Sequence, residues 1–177
     1  KVRFIVFTGS MEVGIHINEL AAKVQPGQIW LKRVVCEMGG KDSIIVDKEV
    51  PNLDEAVNGV VAAAFGYQGQ KCSACSRAIV DASLYDKFVE KLKAAVDQIQ
   101  IGPAEENYRM GPVVSSSAER SILSYIEVGK NEGRLLNGGS KAAGNGFYIK
   151  PTVIVDVDPY ARISQEEIFG PVLAVIK

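Results

Sequence analysis

A reactive thiol is the strongest chemical signal in this sequence. Cys72 lies in segment 68–77, which reads QGQKCSACSR and follows an apolar, alanine-rich stretch. Lys71 and Arg77 place positive charge near the sulfur, which favours the nucleophilic thiolate. The backbone amide of such a residue can also help to hold an oxyanion. The pattern therefore makes Cys72 a candidate nucleophile for covalent catalysis, although a single cysteine in an α/β domain is, without further context, more often an inert buried residue.

A candidate general base precedes the thiol. Glu37 ends an apolar run and is followed by Met38, Gly39 and Gly40. The glycines allow close approach of backbone and ligand. A carboxylate in a partly apolar site can activate water for the hydrolysis of an acyl intermediate. Without further context, the interpretation of Glu37 as an ordinary loop carboxylate is favoured.

Segment 165–171, QEEIFGP, combines acidic side chains with an aromatic residue in a turn. Glu167 offers a carboxylate that can accept hydrogen bonds from hydroxyl groups, and Phe169 offers a flat apolar face. Pro171 fixes the turn that presents them. Taken alone, the two side chains read as a surface charge and a core aromatic.

A second candidate ligand site lies near the start of the sequence. Gly9 and Ser10 separate a predicted strand from a predicted helix, where free N–H groups and the helix dipole favour an anion. Gly14 follows five residues after Gly9. The spacing differs from the usual G-x-G-x-x-G dinucleotide pattern. This turn is weak support by itself.

In this order, the motifs at 7–10, 37–41, 68–77 and 165–171 make the sequence resemble the aldehyde dehydrogenase superfamily over essentially its whole length. Segments 22–28, 33–42 and 129–135 make it most similar to the 1-pyrroline-5-carboxylate dehydrogenase branch. The resemblance implies NAD-dependent oxidation of glutamate 5-semialdehyde to glutamate through a cysteine thioester, a reaction of proline catabolism. NAD is favoured over NADP by the same likeness.

The resemblance also implies roles for individual residues. Cys72 would be the nucleophile and Glu37 the base, and the Ser73 hydroxyl would contact the substrate carboxylate. Ser73 could otherwise be needed only as a small residue. The residues implied in cofactor binding are Gly9, Ser10, Gly14, Met38, Gly39, Glu167 and Phe169.

Domain organisation follows from the same likeness. Residues 1–40 would be the C-terminal tail of a cofactor-binding domain, and residues 41–177 a catalytic domain that is incomplete at its C-terminus. The parent protein would be a homo-oligomer acting on a small-molecule aldehyde. Because the sequence begins and ends within apolar strand patterns, we expect a fragment. The resemblance implies that it lacks the asparagine that completes the oxyanion hole, so we expect it to fold but to oxidise aldehydes very slowly or not at all.

Two other interpretations remain open. Cys72 and Cys75 form a C-x-x-C pair, which is typical of dithiol redox sites and zinc half-sites, so a non-catalytic α/β module is possible. A zinc site needs about four ligands, and Cys36 and His16 are distant in sequence, so no metal is expected. Within the superfamily, the substrate could be another semialdehyde, such as succinate semialdehyde.

Composition narrows the class of protein. The 177 residues are 47% hydrophobic and carry a formal net charge of −1. This is enough for a real core, and the mixed charges argue against nucleic acid as a partner. No apolar run reaches the roughly 20 residues of a membrane span. Three cysteines suit a reducing compartment, so a cytoplasmic location is expected.

Apolar periodicity predicts alternating strands and helices. Ser83 is the expected N-cap of the helix that ends near residue 99, and 43–46 is expected to be a buried strand. The fold class that follows is an open, mostly parallel α/β sheet covered by helices on both faces. The predicted strands are 1–7, 29–36, 43–46, 77–80, 134–139, 148–155 and 172–176, and the predicted helices lie at about 11–24, 54–65, 83–99 and 117–131.

Overall fold

The computed structural model describes residues 2–177. The chain divides into two compact units, Lys1–Gly40 and Lys41–Lys177, which we call unit 1 and unit 2. No helix in the described part of the chain is long and apolar enough to cross a membrane.

Unit 1 is a β-α-β element. Strand β1 (Phe4–Thr8), helix α1 (Met11–Ala22) and strand β2 (Arg33–Glu37) follow in order, and the two strands pair in parallel. Ser10 begins the helix, because its side-chain oxygen accepts a hydrogen bond from the Val13 N–H. The register places Thr8 opposite Glu37, so both strands end beside the turn that starts α1.

Unit 2 is built on a five-stranded sheet in the order β3-β4-β7-β6-β5. All neighbouring pairs are parallel except β5 and β6, which are antiparallel. The strands are β3 (Asp42–Val46), β4 (Cys75–Val80), β5 (Arg134–Asn137), β6 (Thr152–Val155) and β7 (Val172–Ile176).

Helices cover both faces of this sheet. Helices α2 (Leu53–Phe65) and α3 (Tyr85–Asp97) pack on one face, and α4 (Ser116–Glu132) and the short α5 (Arg162–Gln165) pack on the other. Successive strand residues point to opposite faces. Leu173 and Val175 therefore enter the core under α2 and α3, whereas Ala174 enters the core under α4. The central strand β7 is apolar throughout because both of its faces are buried.

The predicted fold class is confirmed, and most elements lie where periodicity placed them. The strands expected at 29–36 and 148–155 are shorter, beginning at Arg33 and Thr152. The helix α5 is absent from the sequence prediction because four residues leave no periodic signal.

Two local predictions are wrong. Ser83 does not cap α3: the N-cap is Leu84, and the Ser83 N–H and hydroxyl both donate to the Asp81 carboxylate. The strand at 43–46 is not buried throughout. It forms the edge of the sheet in unit 2, and Ile45 is 72% exposed, because a continuous apolar run does not distinguish a central strand from an edge strand.

Candidate active site

Cys72 lies exposed in a tight turn between α2 and β4. The Ala74 N–H donates to the Lys71 carbonyl over 3.2 Å and closes the turn. Cys72 and Ser73 are its two central residues and both are exposed, whereas Ala74 is buried. The sulfur and the neighbouring hydroxyl are therefore both open to a small molecule. We call residues 66–74 the cysteine loop.

The cysteine loop is strained just before the thiol. Tyr67 and Gln68 both have φ of 57°, and Gly69 has φ of 66°. Placing a residue other than glycine in this left-handed region costs on the order of 1–3 kcal/mol of folding free energy, and such residues cluster at functional sites. This conformation persists only if neighbouring groups hold it.

Two glutamine side chains supply part of that restraint. With its amide oriented to satisfy both neighbours, Gln68 donates to the Tyr67 carbonyl over 3.0 Å and accepts from the Gly111 N–H over 2.8 Å. The Gln70 side chain accepts from the Val114 N–H over 3.0 Å. Both residues fasten the cysteine loop to segment 111–114. Because they act on backbone rather than on a ligand, their residue types alone do not reveal this role.

The cysteine loop also contacts segment 165–171, which we call the acidic turn. A Cβ on Gly69 would collide with the Gly170 carbonyl oxygen and lie 3.0 Å from the Ala64 carbonyl oxygen. Only a residue without a side chain allows this approach. Two of the motifs that the sequence offers as separate candidates are thus in direct backbone contact.

The acidic turn presents an aromatic ring beside an anchored residue. Ile168 is buried in the core under α4, whereas Phe169 is 44% exposed and has φ of 55°. The Pro171 carbonyl accepts from the Thr152 N–H over 2.9 Å. The turn is therefore fixed to the sheet on both sides of Phe169.

Glu166 is engaged in holding the acidic turn. The Tyr125 hydroxyl donates to its carboxylate over 2.6 Å, and Arg162 Nε donates to the same oxygen over 2.8 Å. The hydrogen bond from Tyr125 has the largest effect on the pKa of Glu166, and together with the bond from Arg162 it lowers that pKa. The carboxylate thereby ties the turn to α4 and α5.

Lys41 lies against the same group of side chains. Its pKa is lowered from 10.5 to about 8, chiefly by burial and also by the positive charge of Arg77, whereas Glu167 and Glu166 act in the opposite direction. Lys41 and Glu167 are therefore close enough to interact electrostatically. Lys41 is part of the candidate motif at 37–41, but its proximity to Glu167 is visible only in the tertiary structure.

Cys75 is buried, whereas Cys72 is exposed. Cys75 lies in the core under α2, and its thiol donates a hydrogen bond to the Arg77 carbonyl over 3.3 Å. Burial raises the pKa of the Cys75 thiol. A buried thiol that stays protonated is a poor partner for thiol exchange, which disfavours the dithiol interpretation of Cys72 and Cys75.

In unit 1, the Gly9–Ser10 turn meets the end of β2. The Gly9 N–H donates to the Glu37 carbonyl over 3.1 Å. Glu37 is exposed within unit 1. This backbone hydrogen bond holds Glu37 directly beside the turn that starts α1. Two of the candidate motifs are therefore neighbours within unit 1.

Gly14 is buried where α1 crosses β2. A Cβ there would lie 2.7 Å from Met38 Sδ and 3.5 Å from Cys36 Cβ. The Cys36 sulfur contacts the Gly14 carbonyl over 3.6 Å. Gly14 therefore serves close packing of helix and strand, and any part in cofactor binding would be indirect.

The predicted site residues are divided between the two units. Within residues 2–177, no group of three or more His, Cys, Asp or Glu side chains could hold a metal ion. Unit 1 carries Gly9, Ser10, Gly14, Glu37, Met38 and Gly39, and unit 2 carries Cys72, Ser73, Glu167 and Phe169.

The model of the aldehyde dehydrogenase family matches residues 1–177. This chain belongs to the aldehyde dehydrogenase family. Its order of motifs, and the contact between its cysteine loop and its acidic turn, are thus features of a member of that family. The superfamily resemblance read from the motifs is confirmed.

Individual aldehyde dehydrogenases are similar over the whole chain. The 1-pyrroline-5-carboxylate dehydrogenase of Geobacillus thermodenitrificans is 57% identical over 100% of this chain, and that of Bacillus subtilis is 52% identical over the same share. The 1-pyrroline-5-carboxylate dehydrogenase from Thermus, solved with bound NAD, is 55% identical with a TM-score of 0.94 over 98% of this chain. The chain spans about a third, 34%, of each of these relatives.

The residues present fit a nicotinamide dinucleotide in two places. The first turn of α1 offers backbone N–H groups beside a glycine, which suits a phosphate, although Glu12 in the same turn opposes it. The acidic turn offers the Glu167 carboxylate for ribose hydroxyls and the exposed Phe169 ring for a flat apolar surface. Each fit is a property of one unit.

Proposed function

We propose that this chain is the thiol-bearing segment of an enzyme that oxidises glutamate 5-semialdehyde to glutamate with NAD. The observation that carries the proposal is the exposed Cys72 in a strained loop that is fastened to the acidic turn. Identities of 52% to 57% with 1-pyrroline-5-carboxylate dehydrogenases support the substrate.

In the proposed reaction, the Cys72 thiolate adds to the aldehyde carbon, and the carbonyl oxygen becomes an oxyanion on a tetrahedral thiohemiacetal. The Cys72 backbone N–H is a donor for that oxyanion. Bound NAD⁺ would accept the hydride that leaves this carbon. The carbonyl then re-forms as a thioester on Cys72.

Hydrolysis completes the proposed cycle. Glu37 takes a proton from water, the resulting hydroxide adds to the acyl carbon, and the carbon–sulfur bond breaks to release glutamate and the Cys72 thiolate. Ser73, next to the nucleophile and exposed, would donate its hydroxyl to the substrate α-carboxylate. The role of Glu37 rests on its motif.

The remaining assignments follow the same proposal. Unit 1 would be the tail of a cofactor-binding domain and unit 2 most of a catalytic domain. Gly9, Ser10, Glu167 and Phe169 would contact NAD directly, with Met38 and Gly39 beside the nicotinamide and Gly14 supporting them through packing. The full-length protein would be a cytoplasmic homo-oligomer.

The test is NADH formation by the full-length protein with glutamate 5-semialdehyde, compared with succinate semialdehyde. We expect a higher kcat/KM for glutamate 5-semialdehyde. The comparison tests the alternative that the substrate is another semialdehyde. A preference for succinate semialdehyde would show that the proposed substrate is wrong. The absence of turnover with any aldehyde would overturn the whole proposal.

A further inference from the structure

Arg77 bridges two backbone segments with one side chain. It is the third residue of β4, directly after the cysteine loop. Its Nη2 donates to the Lys41 carbonyl over 2.5 Å, and its Nη1 donates to the Ser164 carbonyl over 3.3 Å. Two acceptors 123 residues apart in sequence are thus held by a single planar guanidinium.

Both acceptors lie at the edge of candidate motifs. Lys41 closes the glycine motif that follows Glu37 and leads into β3. Ser164 is fully buried in α5, and its hydroxyl donates to the Asp158 carbonyl over 2.9 Å. The acidic turn begins at the next residue. The bond from Arg77 to Ser164 therefore sets the point at which the acidic turn leaves the core.

An arginine here is costly as a purely structural choice. Among residues 2–177, the buried Nε–H of Arg77 has no hydrogen-bond partner, and the ammonium group of Lys41 adds a like charge nearby. A buried donor without a partner costs free energy, which offsets part of what the two hydrogen bonds from Nη1 and Nη2 contribute. Departures of this kind from local consistency are expected at functional sites.

We propose that Arg77 is a positioning residue for cofactor binding, holding the acidic turn so that Glu167 and Phe169 meet the nicotinamide ribose side of NAD. This inference rests on the proposed function, in which Glu167 and Phe169 contact the cofactor. Arg77 itself touches neither the substrate nor the thiol in this role. Its fork joins β4, the strand after Cys72, to the turn that carries the two cofactor residues.

Substitution with lysine separates charge from geometry. Arg77→Lys keeps the positive charge, but a single ammonium group on a flexible stem does not reproduce the planar fork that reaches both carbonyls. Arg77→Gln removes the charge as well. The matched control is Arg134→Gln, which removes an exposed guanidinium that pairs with Asp156 over 3.0 Å.

The experiment uses the full-length protein and three measurements. The dissociation constant of NAD is measured by calorimetry without aldehyde, the alkylation rate of Cys72 is measured with iodoacetamide, and unfolding is followed thermally. We expect Arg77→Lys to weaken NAD binding about tenfold and Arg77→Gln at least as much, with Cys72 alkylation within about twofold of the parent. The Arg134→Gln control should match the parent in all three.

Each other outcome overturns the inference. Unchanged NAD affinity in Arg77→Lys and Arg77→Gln would show that the bridge does not position the cofactor residues. If both variants lost NAD affinity and thermal stability together, and the alkylation rate of Cys72 changed to a similar extent, Arg77 would have a general structural role. A parent protein that binds no NAD would overturn both this inference and the proposed cofactor.

The proposed function fails separately. If the parent binds NAD and Arg77→Lys weakens that binding, but no aldehyde is oxidised, the positioning role stands and the proposed reaction does not. If the parent oxidises glutamate 5-semialdehyde while the Arg77 variants keep their NAD affinity and KM, only the positioning role is lost.

Discussion

In residues 67–69 three consecutive backbone positions have positive φ, and the loop that they enter exposes Cys72 and Ser73. In β4, which starts at Cys75, the backbone is extended and pairs with β3 in continuous register from Arg77 to Val80, and the alternate residues Ala78 and Val80 are buried in the core under α2. Only three positions separate the two thiols, yet one lies at the surface and the other in the core.

The difference shows where this part of the molecule gains and loses stability. Burial of apolar side chains along β4 stabilises the sheet, whereas the strained backbone before Cys72 lowers the stability of the fold. The loop stays in its conformation because Gln68, Gln70 and the close approach of Gly69 to Gly170 fasten it to segments already fixed by the core. A rigid strand thus supports an exposed, restrained thiol.

The strongest test of the comparison is to remove each thiol in turn from the full-length protein. Cys72→Ala should lower the rate of NADH formation at least about a thousandfold, because the nucleophile is lost. Cys75→Ala should keep turnover within a few fold and lower stability by about 1 kcal/mol, because it removes a buried atom. Loss of turnover in Cys75→Ala despite a folded protein would restore the dithiol interpretation.

Thiol reactivity in the native chain sharpens the same contrast. We expect iodoacetamide to modify Cys72 at least about a hundredfold faster than Cys75, because Cys75 becomes accessible only when the core opens. Mass spectrometry of peptides at timed intervals measures both rates in one sample. Comparable alkylation rates of the two thiols in the folded chain would show that the core around Cys75 is accessible to solvent.

The restraint on the cysteine loop can be broken at Gly69. Gly69→Ala should destabilise unit 2 by about 2–4 kcal/mol, because φ of 66° disfavours a side chain and a Cβ would collide with the Gly170 carbonyl. The control is Gly59→Ala, where a Cβ in α2 meets nothing within 4 Å.

Urea unfolding of the chain measures both glycine variants. The control should stabilise by about 0.5–1 kcal/mol, because alanine favours a helix interior more than glycine does. If Gly69→Ala behaved like Gly59→Ala, the left-handed bend would not be required for the fold of the loop.

The smallest expected effect concerns Lys41 and pH. Its pKa is lowered from 10.5 to about 8 in the folded chain, so the unfolded chain binds more protons between these two values. Stability should therefore rise with pH in this window relative to Lys41→Met. Denaturant unfolding of both proteins at pH 7, 8 and 9 measures the difference, with Lys91→Met on the surface as control. A difference that does not grow with pH would contradict the burial of Lys41.

Much of the fold could be predicted because it depends on short-range patterns. The continuous apolar run of β7 indicates a strand that is buried on both faces, and the helical spacing in α3 indicates which face of the helix is buried. The two errors have different causes. Ile45 is apolar, yet its strand lies at an edge, which depends on remote pairing, whereas Ser83 resembles an N-cap but bonds to the nearby Asp81 carboxylate, a local competition between two hydrogen-bonding patterns.

For the candidate site, the sequence singled out the residues that would contact ligands, because thiols, carboxylates and exposed aromatics have recognisable chemistry. It did not reveal the residues that position them. Gln68, Gln70 and Arg77 act through hydrogen bonds to distant backbone carbonyls and amides. Such partners depend on how the chain is folded rather than on neighbours in sequence.

The sequence by itself determined the family, the class of fold and the identity of the candidate nucleophile, since these are carried by motifs and by apolar periodicity. The tertiary structure alone decided that Cys75 is buried while Cys72 is exposed, that Gly69 meets Gly170, and that Arg77 joins Lys41 to Ser164. The physical reason is that burial and hydrogen bonding between remote segments are set by packing of the whole sheet, which no local pattern encodes.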